Sequence, residues 1–224
     1  MKNNSQKTKK VRKQRKGFVS ANTLTLFRLI LIIPMIFLTG ATYYYHGWSG
    51  STDFGWAFFG LNLAIALLFG LAMATDYFDG KIARQTNTVS KWGKIWDQTA
   101  DKLMTNLVLI YAASVEIVPF WLTALFILRD ITVSSLRATA SSNGQVIAAN
   151  KLGKIKTLLL SIGILIALIL VPLLAKISSN FQSGIRYWVL IVDAPIIAAG
   201  VLAVISGIQY YIISRGYIKV VDKK

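Results

Sequence analysis

Four of the nine acidic residues in this 224-residue chain, Asp76, Asp79, Asp97 and Asp101, fall within 26 positions. Asp76 and Asp79 are three apart, and Asp97 and Asp101 four apart. On helices both spacings put the pair on one face. If the two helices are antiparallel neighbours, all four carboxylates converge on one pocket. Carboxylates packed together repel one another, and acidic groups near hydrocarbon are expensive, so divalent cations are the natural remedy. An oxygen-only ligand set suits Mg²⁺ or Mn²⁺, and no His or Cys is nearby to favour zinc. Two such ions ~3.5–4 Å apart can clamp the attacking and leaving oxygens of a phosphoryl transfer. Helix capping at a membrane boundary is the plain alternative, and it suits Asp97 taken alone. It does not account for four Asp with Gly80, Ala83 and Gly93 among them. Those small residues leave room for a ligand to reach the backbone. Close helix packing is their other use, and for Ala83 alone it suffices.

The elements that must position these groups are membrane helices. The chain is 54% hydrophobic and 15% charged, where a soluble domain carries about a quarter charged residues. Six apolar stretches approach the ~20 residues that cross a bilayer. They run from about Leu24 to Thr42, Trp56 to Phe78, Ala100 to Val118, Pro119 to Ala140, Thr157 to Ala175 and Tyr187 to Ile213. Such spans are helices unless strands close into a barrel, and the alternation a barrel needs is absent. The expected fold is an all-α integral membrane bundle of six transmembrane helices with a cytoplasm-facing active site. Asp76 and Asp79 then close the second span, and Asp97 and Asp101 open the third.

Charge sets the orientation. Eight of the 25 Lys and Arg residues lie in the first 16 positions. No soluble basic domain follows and no stacking aromatics interleave the charges, so membrane anchoring, not nucleic acid, is the expected role. With this end inside, the outer loops are residues 43–55, 114–119 and 176–186. Only Lys176 and Arg186 of the 25 basic residues fall in them. Both termini are therefore expected on the cytoplasmic side of a multi-pass cell-membrane protein. Residues 1–18 are read as a disordered basic tail and 19–224 as the membrane domain. The first span is too long for a signal peptide, contains Arg28 and Pro34, and has no small-residue cleavage site after it. With no cysteine, disulfides and thiolate metal sites are excluded.

From Asp76 the sequence reads DYFDGKIARQTNTVSKWGKIWDQTAD. It resembles the defining motif of the CDP-alcohol phosphatidyltransferase family at all eight fixed positions. The resemblance implies that Asp76, Asp79 and Asp97 hold metal ions and that Asp101 completes the site. Asp101 is also the implied general base for the acceptor hydroxyl. Gly80, Ala83, Arg84 and Gly93 would shape or contact the CDP part of the donor, with Asp79. Asn22 and Thr25 resemble the family's Asn-x-x-Thr segment and would touch the nucleotide diphosphate, although Asn22 is equally a good helix N-cap. No covalent intermediate is expected, because no Ser, Cys or His stands out as an activated nucleophile. The resemblance also implies a homodimer and, as the donor, CDP-diacylglycerol.

A second cluster bears on the acceptor: Arg129, Arg137, Lys151, Lys154 and Lys156. Arg129 and Arg137 are eight apart, close to two helical turns, so they share a face. Basic residues beside the carboxylates would bind an acceptor phosphate. Positive-inside bias accounts for the three lysines but poorly for Arg129, which follows an apolar run and has Asp130 as a ready partner. RDITVSSLR (129–137) and KLGKIKT (151–157) resemble segments of bacterial phosphatidylglycerophosphate synthases, which implies glycerol 3-phosphate. Two positions depart from those enzymes, Asp130 where Glu is expected and Gln98 where Pro is. Inositol phosphate is the competing acceptor. The rival from another class is a cation-coupled transporter, which Asp193, inside the last span, fits better.

Overall fold

A computed structural model describes residues 21–48, 55–86, 91–142, 151–177 and 181–221, with side chains described over 26–47, 55–76, 96, 99–142, 151–176 and 191–215. The basic tail lies outside the described residues. Six helices follow in order: α1 (Ala21–Trp48), α2 (Trp56–Thr86), α3 (Lys91–Ser114), α4 (Phe120–Ser142), α5 (Lys151–Ile177) and α6 (Phe181–Val221). Among the described residues there is no strand, and the fold is the expected all-α membrane bundle.

Within α1 the pattern of burial is that of a helix between protein and lipid. Leu26, Ile30, Ile33 and Phe37 form an exposed apolar stripe, while Arg28, Leu31, Met35, Thr39 and Thr42 turn inward. Polar groups are thus kept on the protein side, where partners exist. The inward hydroxyls of Thr39 and Thr42 donate to the carbonyls of Met35 and Leu38, 2.8 and 2.7 Å away. Pro34, Pro172 and Pro195 sit inside α1, α5 and α6. Membrane helices tolerate such breaks where neighbouring helices, hydroxyl side chains or local changes of helical pitch re-satisfy the freed backbone groups.

Four segments are long and apolar enough to cross a membrane: Leu26–Gly47, Trp56–Asp76, Lys151–Lys176 and Ile191–Arg215. α3 and α4 fall outside that set over their described residues, α4 with Arg129, Asp130 and Arg137 within it. They nevertheless pack into the same bundle. α1, α2 and α3 contact one another, α5 and α6 pack together with α4 against α6, and α2–α5 and α3–α4 contacts join the two halves. Met35, Phe58, Phe69, Met104, Phe126 and Ile164 are among the residues of the shared core.

Small residues set the closest approaches. A Cβ on Gly163 of α5 would lie 2.6 Å from Ile196 Cγ1 and 3.2 Å from the Ile196 nitrogen of α6. Membrane helices associate through such contacts, because lipid offers no hydrophobic drive. A buried polar contact ties α3 to α2, where the Tyr111 hydroxyl donates to Asn62 Oδ1 at 2.9 Å. The α3–α4 turn is short: the N–H groups of Ile117 and Val118 both donate to the carbonyl of Ala112. Glu116 takes a left-handed φ of 59° to allow this closure.

The helices outrun the apolar stretches at the end that carries the motif. α2 continues ten residues beyond Asp76, to Thr86, and α3 begins at Lys91, well before the expected Ala100. Hydropathy marks where hydrocarbon ends, whereas the helical hydrogen-bond ladder continues into the polar layer. The whole Asp motif is therefore helical apart from residues 87–90, which lie outside the described residues.

Candidate active site

Asp76 closes the apolar stretch of α2, and α1 supplies its first partner. Arg28, wholly buried, donates from a terminal guanidinium nitrogen to Asp76 Oδ1 at 2.7 Å. The Asp76 side chain remains 43% exposed. A buried guanidinium is costly unless it is paired, and the carboxylate at the polar boundary meets that need. Asp101 is half-buried on α3, one residue before Lys102. Its charge acts on both Lys102 and Lys156.

Asp79, Gly80, Ala83 and Arg84 lie on α2, Gly93 and Asp97 on α3, and Asn22 and Thr25 near the start of α1. Their side chains lie outside the described residues, so the expected convergence of four carboxylates, and their contacts with the CDP part, do too. Of the four carboxylates, Asp76 on α2 and Asp101 on α3 are described, both half-exposed and both oxygen-only donors of the kind a hard cation takes; among the described residues no group of three or more potential metal ligands is gathered.

The basic residues form a second, more deeply set group. Asp130 Oδ1 accepts from Arg129 and from Lys156 Nζ, both at 3.0 Å. Arg129 spends its other terminal nitrogen on Ser206 Oγ of α6, 2.8 Å away. Its path is lined by glycines, since a Cβ on Gly153 or Gly207 would lie within 3.8 and 3.7 Å of it. Lys156 is 3% exposed, with its ammonium 5.1 Å from the centre of the Phe126 ring. Arg137 lies over the Tyr210 ring at 4.7 Å and donates to the Tyr210 hydroxyl. Lys102 donates to Ser134 Oγ, whose own proton goes to the Asp130 carbonyl.

Arg129, Arg137 and Lys156 thus come together around Asp130 and Tyr210, with Asp101 near enough for its charge to act on Lys156, while Lys151 and Lys154 stand exposed on the first turns of α5. The one-face reading of Arg129 and Arg137 holds, since both approach Tyr210. Arg129 pairs with Asp130, the partner its sequence neighbour offered. Sequence reasoning missed Arg28, Lys102, Ser134, Ser206 and Tyr210 as members of the site. The lone arginine in an apolar first span and the lysine directly after Asp101 were the available signals. Asp193 is placed elsewhere: it lies on α6 thirteen residues, about 20 Å, before Ser206 of the basic cluster. It is buried, and neither carboxylate oxygen has a hydrogen-bond partner among the described residues.

The chain is similar to known proteins over most of its length. The family model for CDP-alcohol phosphatidyltransferase matches residues 18–199. A CDP-diacylglycerol–glycerol-3-phosphate 3-phosphatidyltransferase of Mycoplasma genitalium is 33% identical over 197 residues, covering 86% of this chain and 82% of the relative. The protein of that description from Rickettsia felis is 31% identical over 196 residues, covering 88% and 95%. One from Bacillus subtilis reaches 43% identity over 96 residues, 43% of this chain and half of its own. A multi-pass membrane bundle with the eight-position motif at its α2–α3 junction, matched over most of its length, belongs to the CDP-alcohol phosphatidyltransferase family of enzymes.

Proposed function

We propose that the protein transfers the phosphatidyl group of CDP-diacylglycerol to sn-glycerol 3-phosphate, giving phosphatidylglycerophosphate and CMP. The observation that carries this reading is the shared location of Asp101 and the basic cluster. A group able to take a hydroxyl proton stands beside cations able to hold a phosphate on the same molecule. The names of the relatives point to the same acceptor.

In this reading Asp76, Asp79, Asp97 and Asp101 hold two Mg²⁺ or Mn²⁺ ions, which supply charge neutralisation of the diphosphate and of the leaving CMP. Arg28 fixes one oxygen of Asp76. Asn22, Thr25, Asp79, Gly80, Ala83, Arg84 and Gly93 cradle the CDP part, with Arg84 offsetting diphosphate charge. Arg129, Arg137, Lys151, Lys154 and Lys156 attract and seat the acceptor phosphate, the two exposed lysines at the entrance. Asp101 takes the proton of the acceptor hydroxyl as its oxygen attacks the lipid-bearing phosphorus in line. The bond from that phosphorus to the CMP oxygen breaks, and CMP departs. No covalent enzyme intermediate is involved.

All six helices are taken as spans, α3 and α4 burying their polar residues in the bundle, with both termini cytoplasmic. The protein acts as a homodimer in the cell membrane, and residues 1–18 anchor it to anionic lipid. A cation-coupled transporter is disfavoured by the position of the acidic residues. Asp76 and Asp101 lie at one end of the bundle, where a translocation site would sit near mid-membrane.

The test is CMP release by purified protein given CDP-diacylglycerol and Mg²⁺ or Mn²⁺. Glycerol 3-phosphate, inositol phosphate, inositol and serine are compared as acceptors. Release that requires glycerol 3-phosphate supports the proposal. Release only with another alcohol overturns the acceptor, and no release with any of them overturns the proposed reaction.

A further inference from the structure

Of the seven exposed tyrosines and tryptophans among the described residues, five stand at the end of the bundle opposite the Asp motif. They are Tyr43, Tyr44 and Tyr45 late in α1, Trp56 at the start of α2 and Trp121 at the start of α4. Contacts at both ends fix that arrangement. Arg28 meets Asp76 at the motif end, whereas at the other end the His46 ring lies 5.1 Å from that of Phe58 and Tyr111 reaches Asn62. Residues 115–119 alone separate α4 from the end of α3. Charge is distributed the other way. Lys151 and Lys154 stand exposed at the motif end, and Lys176 is the one lysine or arginine at the far end among residues with described side chains.

We propose that these five aromatic side chains seat the far end of the bundle in the headgroup boundary of the membrane, so that the bundle acts as a ruler setting the depth of Asp76 at the other boundary. Trp56 and Asp76 are 20 residues apart on α2, about 30 Å of helix, which is the thickness of a bilayer's hydrocarbon core. Tyr45 and Arg28 of α1 are 17 apart, about 26 Å, and Trp121 and Arg137 of α4 are 16 apart, about 24 Å. Tyrosine and tryptophan join an apolar ring to one polar tip, and the headgroup boundary satisfies both parts where lipid tails would strand the tip. The five residues are also spread as a planar boundary requires, since among the described residues α4 packs against neither α1 nor α2. One protein partner would need them gathered into a patch. The proposal deepens the reaction reading above and rests on it for the meaning of depth: the donor diphosphate must meet Asp76 and Asp101 at the same level. With the far end pinned, a thicker membrane draws the carboxylates below the headgroups and a thinner one lifts them clear. Without the pins, the exposed lysines of α5 hold the motif end to an anionic surface at any thickness.

The experiment reconstitutes the full chain in phosphatidylcholine vesicles with a fixed fraction of phosphatidylserine, their chains varied over about 14 to 24 carbons. CMP release is measured at constant mole fraction of CDP-diacylglycerol. Depth is measured separately. The chain has no cysteine, so a fluorophore on Gln85→Cys, nine residues past Asp76 on α2, reports depth through quenching by lipids spin-labelled at known levels. Wild type is compared with the combined Tyr44→Leu, Trp56→Leu and Trp121→Leu variant, and with Tyr44→Trp, Trp56→Tyr and Trp121→Tyr together. The wild-type rate should peak at one chain length and fall about three- to tenfold at either extreme, with the label's depth shifting across the series. In the leucine variant the depth should stay constant and the rates within about twofold of one another, whereas the exchanged aromatics should restore the wild-type profile. A wild-type depth that does not change with thickness overturns the inference, as does a leucine variant whose depth varies as wild type does. If no acceptor supports CMP release in any membrane, the reaction reading fails, and the depth measurements alone decide the ruler.

Discussion

Replacing Asp130 by Asn should destabilise the empty protein more than any other single change in the cluster. Asp130 is 14% exposed, Arg129 15% and Lys156 3%, with both nitrogens 3.0 Å from one oxygen. Taking ~4 Å between charge centres and an effective dielectric of about 20, each pair is worth about 4 kcal/mol of attraction. Repulsion between the two cations cancels part of that sum, and Asn retains one acceptor oxygen. About 3 kcal/mol remains, at the lower end of what breaking a buried pair costs. For a chain of this size that lowers Tm by roughly 6–12 °C. The assay is thermal unfolding in detergent followed by tryptophan fluorescence, without metal or substrate. With Lys156→Met already present, the same substitution should cost about 1–2 kcal/mol less, because one of its two pairs is gone. A Tm within a degree of wild type, or an equal loss in both backgrounds, would refute the reasoning. Arg129 and Lys156 would then be balanced by solvent or lipid, not by Asp130.

Three further outcomes are expected. Asp101→Asn should lower kcat by about 10²- to 10⁴-fold, the usual contribution of a general base, and leave thermal stability within a few degrees; activity retained at wild-type level removes Asp101 from the mechanism. Asp76→Ala should abolish activity and also cost the metal-free protein about 1–2 kcal/mol, since it strips the buried Arg28 of a carboxylate that is itself partly solvated; an unchanged Tm would mean that the 2.7 Å pair contributes nothing. Gly163→Ala should destabilise by about 1–3 kcal/mol, because its new methyl meets the Ile196 side chain and backbone and forces α5 from α6; a neutral or raised Tm would show that the two helices can part freely.

Much of this was written in the sequence, at the level of single elements. The apolar runs marked the helices, the Asp spacings put the motif on two of them, and the eight-residue interval of Arg129 and Arg137 gave a shared face that meets Tyr210. At the motif the helices run eight and nine residues past the expected spans, because hydropathy measures contact with hydrocarbon while helicity follows backbone hydrogen bonding. The pairings between helices were not legible. Arg28 and Asp76 lie 48 positions apart, and Lys102 and Ser134 lie 32 apart. Whether they meet depends on the rotation of each helix about its axis, which no local pattern fixes. Lys154 and Lys156 illustrate the point. Two residues apart, they point about 200° from each other, so one enters the Asp130 cluster and the other faces outward.

The coincidence of Asp76 with the end of the apolar stretch of α2 has a kinetic consequence. A donor whose chains stay in the bilayer and whose diphosphate meets the enzyme at that depth arrives only by lateral diffusion. Its effective concentration is then a surface density, the mole fraction of donor among the surrounding lipids. Diluting the donor with inert phospholipid at constant total donor should slow the reaction, whereas adding more vesicles of unchanged composition should not. The water-soluble acceptor obeys the ordinary volume concentration. One active site would then sample two reservoirs of different dimensionality, and the membrane's composition would itself regulate the rate.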